Sequence, residues 1–225
     1  MSTEIEVEAQ PGHLDSLANA KPVNALAELL WNSFDADASV VEVEVEENGL
    51  GNVEEIVVKD NGLGIPFDDA NECFRKLGGS WKKGATRTHG EKRMLHGKEG
   101  KGRFKAFALG KRVTWETVFG TNGEKSTYSI SGNRANLKRF SITDPALSPG
   151  SPSGTIVRIR DTADNLGDLS LEGKASDKLT EFFALYLRDY PSASLFFRGE
   201  RIRPEAAQKD FREYDLKGID LGGGR

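Results

Sequence analysis

The stretch Val23-Asn24-Ala25-Leu26-Ala27-Glu28-Leu29-Leu30-Trp31-Asn32-Ser33-Phe34-Asp35-Ala36 decides how this chain is read. At about 100° per residue, Val23, Leu26, Leu30 and Phe34 fall within roughly 80° of arc, the stripe by which a helix packs on a core. Glu28, Asn32 and Asp35 fall within about 60° on the opposite side. Three polar residues could simply be a solvated face. The flanks argue otherwise, because Ala25, Leu29, Ala27 and Trp31 fill the remaining arcs and no Lys or Arg occurs from 23 to 36. Carboxylates and an amide inside an otherwise apolar helix need partners, since buried charge persists only when paired or bound to a cation. Magnesium carried with phosphate would supply them, as it takes oxygen ligands, keeps waters and borrows phosphate oxygens. Asn32 then offers a neutral amide ligand. Glu28, one turn earlier, can accept a proton from a water aimed at the terminal phosphate.

Outward from this helix the period changes to two. Ile5 and Val7 alternate with glutamates over Thr3 to Ala9, and Val41, Val43 and Val45 do so over Val40 to Glu46. The turn Glu47-Asn48-Gly49 leads to a second strand over Val53 to Lys59, which predicts a hairpin. Asp68 to Leu77 reads as a helix with an acidic first turn, and Phe104 to Leu109 as another, ending at Gly110. Strands are expected over Arg112 to Phe119, Ser126 to Ser131, Lys138 to Thr143 and Thr155 to Arg160, with a loop over Ser148 to Ser153. A helix over Ser176 to Arg188, N-capped by Ser176, precedes a last strand, Ser194 to Phe197. Strands in runs with irregularly inserted helices predict an α+β fold, a mixed sheet with helices on one face, rather than a regular βαβ array. One domain over 1–209 is expected, and 210–225 reads as a weakly ordered tail where a longer protein was cut.

Composition narrows the function classes. In 225 residues, 37 % hydrophobic and 29 % charged, the chain is an ordinary folding sequence, not a disordered or fibrous one. No apolar run is long enough to span a bilayer, and the start lacks a secretory pattern, so no membrane partner and a cytoplasmic location follow by default. Cys73 stands alone, and His13, His89 and His96 have no cysteine partners at zinc-site spacing. The net charge of −4 hides an asymmetry: residues 75–112 hold thirteen Lys and Arg against Glu91 and Glu99, locally +11, leaving −15 elsewhere. That basic segment suits either the phosphates of a small ligand or a nucleic acid. Beyond Trp81 and Phe104 it has no interleaved aromatics to stack bases.

Two glycine clusters follow the quoted helix. Asp60-Asn61-Gly62-Leu63-Gly64 closes the strand over Val53 to Lys59, and its glycines permit close approach of a ligand or positive φ. Gly97-Lys98-Glu99-Gly100-Lys101-Gly102 leads into the helix near Phe104, with Lys98, Lys101 and Arg103 at hand for phosphate. It is not a Walker A loop, because neither Gly-Lys is followed by Ser or Thr, and the Rossmann order of glycines is absent.

Taken together, Glu28-Leu29-Leu30-Trp31-Asn32-Ser33-Phe34-Asp35-Ala36, Asp60-Asn61-Gly62-Leu63-Gly64-Ile65, the loop from Gly97 to Gly102 and Ser153-Gly154-Thr155 resemble, in order and spacing, the four motifs of the GHKL ATPase superfamily. That superfamily includes gyrase B subunits, heat-shock chaperones, sensor histidine kinases and MutL. The resemblance covers residues 23 to about 200. It implies the Bergerat ATP-binding fold, a two-layer α+β sandwich with a mixed, mostly antiparallel sheet and a long ATP lid, here over about 78–102. It further implies Glu28 as general base, Asn32 as magnesium ligand, Asp60 as acceptor of the adenine amino group and Thr155 as its support. Gly62 and Gly64 would shape the adenine pocket, with Ile65 and Leu77 as apolar walls and Asp35 and Ala36 beside it. Ser80, Lys82, Lys83, Gly97, Lys98, Gly100, Lys101, Gly102 and Arg103 would line the phosphates from the lid. A buried acid that reads an exocyclic amine favours ATP over GTP.

Histidine kinases in this superfamily usually lack the glutamate at the position of Glu28 and carry a phospho-accepting helix upstream, so that branch is disfavoured. The lid sequence Leu77-Gly78-Gly79-Ser80-Trp81-Lys82-Lys83 looks most like MORC-type and related prokaryotic chaperone-like ATPases. Relatives take a distal Lys or Arg from a following domain to complete the phosphate site; here only Arg201 and Arg203 are candidates. The expectation is thus an ATP-binding domain with slow hydrolysis and ATP-dependent homodimerisation. The alternatives are an ATP-sensing switch without useful turnover and a DNA-binding module using the basic segment.

Overall fold

A computed structural model describes residues 2–6, 16, 18–75, 86–88, 90–96, 102–121, 123–170 and 173–207. The valine–glutamate alternation of Val40–Glu47 (β2) buries Val41, Val43 and Val45, and the strand turns back through a hairpin into Val53–Asp60 (β3). With Ser2–Glu6 (β1), Gly110–Thr121 (β4), Glu124–Asn133 (β5), Asn136–Thr143 (β6), Ala146–Leu147 (β7), Gly154–Thr162 (β8), Ser194–Phe197 (β9) and Glu200–Arg201 (β10) they form one sheet. Its order is β1-β6-β5-β4-β8-β3-β2-β9-β10, with β7 on β5. Every pairing is antiparallel except β2 with β9, so the sheet is mixed and mostly antiparallel, as expected.

Register explains the core. Val43, Val58, Val157, Trp115, Ile130 and Ile142 stand opposite one another across six strands, all buried. Two residues along on the same face, the row turns polar: Val41 faces Asp60, Thr155 faces Thr117 and Thr117 faces Tyr128. The helix Pro22–Asp35 (α1) begins with Pro22, whose missing N–H costs nothing in the first turn. Its stripe Val23, Leu26, Leu30 and Phe34 is buried, and Phe34 and Trp31 pack on Phe183 of Ala175–Asp189 (α4), centroids 5.8 and 4.2 Å apart. Phe74 of Phe67–Arg75 (α2) meets Trp115 and Phe140 edge-on, each at 5.2 Å, while Phe104 of Gly102–Lys105 (α3) also packs on Phe140. No helix among the described residues is long and apolar enough to cross a membrane.

Two local expectations need correction. Ser176 does not cap α4: the helix is already under way at Ala175, Lys174 stands at the N-cap, and the Ser176 carbonyl accepts the Thr180 hydroxyl at 2.8 Å. The helix expected to end at Gly110 begins earlier, tightens into a 3₁₀ turn over Ala106–Ala108, and Gly110 already belongs to β4. Within the segment expected as a lid, the described residues 86–88 and 90–96 form a small docked hairpin. Arg87 bridges Met94, the Thr88 N–H donates to the Arg93 carbonyl at 2.8 Å, and the Leu95 N–H to the Thr86 carbonyl at 3.1 Å. Polar anchors hold it: the His96 N–H donates to Asp35 at 2.9 Å, the Gly90 N–H to Asp37 at 2.7 Å and the Met94 N–H to the Tyr190 hydroxyl at 3.0 Å. The His96 ring also stacks on Trp31 at 4.0 Å.

Because Phe140 is fully surrounded by Phe74, Phe104, Phe107 and Trp115, Phe140→Ala should lower the unfolding free energy by roughly 3–5 kcal/mol, read from urea denaturation.

Candidate functional site

Asp60 ends β3 with its carboxylate buried under α1. Oδ1 accepts the Gly62 N–H at 2.9 Å and the Thr155 N–H at 3.1 Å, and Oδ2 accepts the Ser33 hydroxyl at 2.9 Å. Burial pushes the carboxyl up to about 6, against the three hydrogen bonds from Gly62, Ser33 and Thr155, which pull it down. A carboxylate offers about four acceptor positions. Donors among the described residues take three of these, which leaves one acceptor position on the Oδ2 side.

The turn after Asp60 is clamped from every side. The Leu63 N–H donates to the Ala36 carbonyl at 2.8 Å, and the Asn61 side-chain oxygen accepts the N–H groups of Ser39 and Val40, each at 2.9 Å. The Ile65 N–H donates to Thr117 Oγ1 at 2.9 Å, and its carbonyl accepts the Tyr128 hydroxyl at 2.9 Å. Thr117 Oγ1 lies 3.2 Å from Thr155 Oγ1 and 3.3 Å from the Gly154 carbonyl. Gly64 has φ of 73°, and a Cβ there would sit 2.2 Å from the Val118 carbonyl oxygen, so only glycine fits.

A second cluster lies on the same helix. Glu28 is partly buried and Asn32 exposed, one turn apart. Gly102 is pressed against both: a Cβ there would lie 2.9 Å from Asn32 Nδ2 and 3.5 Å from Glu28 Oε2. The Lys105 ammonium, one turn into α3, forms an ion pair with Glu28 Oε1. Ser33, next in sequence to Asn32, belongs to the first cluster, so α1 joins the two.

The structure thus brings Glu28, Asn32 and Gly102 together, and separately Asp60, Gly62, Gly64, Ile65, Ala36 and Thr155. Asp35 is buried and receives the His96 N–H, which makes it an anchor for the 86–96 hairpin. Arg103 is buried, its guanidinium 4.5 Å from the Phe104 ring centre and 5.6 Å from that of Phe74. Leu77, Ser80, Lys82, Lys83, Gly97, Lys98, Gly100 and Lys101 lie outside the described residues. Sequence reasoning passed over Ser33, Thr117 and Lys105. Thr117 carried a signal, as the one polar residue on the face of Val113, Trp115 and Phe119; Lys105 was one cation among thirteen.

Among the described residues, no three His, Cys, Asp or Glu side chains gather to hold a metal. A cation here would depend on the Asn32 amide together with ligand oxygens and waters, a donor set that fits magnesium on a phosphate better than a protein cage. The absence of a side chain at Gly102 lets the start of α3 approach Asn32 and Glu28 closely.

Residues 20–150 match the family described as histidine kinase-, DNA gyrase B-, and HSP90-like ATPase. Shorter stretches resemble the DNA mismatch repair protein MutL. The match is 39 % identical over 56 residues in Bacillus pumilus, covering 25 % of this chain and 8 % of that protein. In Thiobacillus denitrificans it is 47 % over 49 residues, covering 22 % and 8 %. Each match therefore spans a small fraction of MutL. The finer likeness of the lid to MORC-type ATPases gains no support from these relatives.

The raised pKa of Asp60 has a consequence for stability. Between the unfolded value of 3.8 and the folded value of about 6, the native state holds more protons, so this group's contribution to stability falls as pH rises through that window. Relative to Asp60→Asn, the wild type should lose up to roughly 1.4 kcal/mol per pH unit from pH 4 to 6 and no more above it, read from urea unfolding at each pH.

Proposed function

This chain belongs to the histidine kinase-, DNA gyrase B- and HSP90-like ATPase family, and from that premise we propose that it is a magnesium-dependent ATP-binding domain that hydrolyses ATP slowly. Family membership implies ATP binding. The acceptor count at Asp60 carries the reading further: three protein donors leave one position, which the exocyclic amine of adenine would fill. Guanine presents an oxygen there and would leave two acceptors facing each other. Thr117 and Thr155 support the pocket from the sheet, and Gly62, Gly64 and Ile65 form its turn.

Asn32 would contribute the amide ligand to magnesium, which when bound neutralises phosphate charge. Glu28, one turn away, would take a proton from the attacking water. The water oxygen bonds to the terminal phosphorus as the bond to the bridging oxygen breaks, that electron pair staying with ADP, and inorganic phosphate leaves. Lid closure over the phosphates and nucleotide-dependent pairing of two copies complete the proposal. The ion pair of Glu28 with Lys105 favours low basal turnover, because the base is already engaged.

Glu28→Ala should reduce phosphate release by about 100-fold or more, as expected for loss of a general base, while the ATP dissociation constant measured by calorimetry shifts only a few-fold. Affinity should fall as pH drops below about 6, because a proton on Asp60 occupies the acceptor that the adenine amine requires. Constant affinity from pH 7 to 5 would count against the assignment.

A further inference from the structure

We propose that Lys105 is the site's own phosphate cation: paired with Glu28 when the site is empty, it transfers to the terminal phosphate of ATP and thereby releases Glu28 to act as base. The inference rests on the ATP-binding reading and adds to it a residue and a gate.

Position singles out Lys105 within the basic segment. Arg103 is buried over Phe74 and Phe104. Arg93 is buried beside Asp37 at 3.9 Å, Arg87 donates to the Lys92 carbonyl, and Arg112 is paired with Asp161. Lys105 alone among the described residues of that segment is seen paired with the Glu28 carboxylate. It is brought there by a backbone that runs close to α1, a Cβ at 102 lying 2.9 Å from Asn32 Nδ2. The distal candidate Arg201 lies on the edge strand β10 and donates to the Ser194 hydroxyl at 3.2 Å.

Chemistry permits the exchange. The pair is partly open to solvent, with 28 % of the lysine and 29 % of the glutamate side chain exposed, and such pairs are weak and readily broken. A lysine ammonium is a compact charge with three rotatable donors on a flexible stem, and phosphate oxygens are strong acceptors for it. A terminal phosphate carries more charge than one carboxylate. Once the ammonium moves, Glu28 Oε1 regains the lone pair that a water proton needs. ADP, lacking that phosphate, leaves the pair closed.

The test is calorimetry on the full chain with magnesium, using a non-hydrolysable ATP analogue and ADP. Lys105→Met should weaken the analogue by about tenfold, as for one lost charge-assisted contact, and leave ADP within about twofold. Lys105→Arg should restore the preference for the analogue. Glu28→Gln, which removes the competing carboxylate, should tighten the analogue several-fold and not ADP. Equal effects of Lys105→Met on both nucleotides, or none, would overturn the assignment and leave the pair structural; no tightening in Glu28→Gln would overturn the exchange. A wild type that binds neither nucleotide would instead refute the ATP-binding reading itself.

Discussion

A carboxylate in a protein core survives only if its oxygens are answered, and the Asp60 carboxylate is answered from three separate elements. Ser33 reaches it from α1, Gly62 from the turn that follows, and Thr155 from β8. These bonds fasten the helix to the sheet at the point where the apolar face ends. One row of the face is Val43, Val58, Val157 and Trp115; the next holds Asp60, Thr155 and Thr117. A net gain of about 1 kcal/mol per hydrogen bond is modest, but leaving any one donor buried without an acceptor would cost more. The polar row holds as a set, tying helix, turn and sheet together at one carboxylate.

The second cluster inherits its position from the first. Asn32 immediately precedes Ser33, so the bond that holds Ser33 on Asp60 also fixes the angle at which Asn32 and Glu28 leave the helix. Beyond them, Asp35 and Asp37 hold the 86–96 hairpin by its backbone N–H groups, while Trp31 stacks on His96. The helix and its end are thus bonded to Asp60 and the turn after it, to α3 and to the hairpin along little more than two turns. These contacts share one rigid element rather than a loop.

Much of this could be read from the sequence because it follows local rules. The valine–glutamate alternation of β2 and its hairpin with β3 depend only on period and turn residues, and they appear as expected. So does the buried stripe of α1. What could not be read depends on contacts between distant residues. No local pattern marks Ser33, whose role comes from Asp60, placed beneath it by β3. Lys105 could not be distinguished from its basic neighbours, because only the fold directs Arg103 inward and Lys105 outward to Glu28. The hairpin at 86–96 has no apolar period at all; its order comes from aspartates on another element, which no local pattern reveals.

The central claim is that Asp60 keeps one acceptor for an exocyclic amine. It is tested most directly by calorimetric titration of the wild-type chain with ATP and with the purine riboside triphosphate that lacks the amino group, under identical magnesium and salt. The account predicts that the amine-free nucleotide binds at least about tenfold more weakly, since its loss leaves a buried acceptor without a donor. Equal affinity for the two would contradict it.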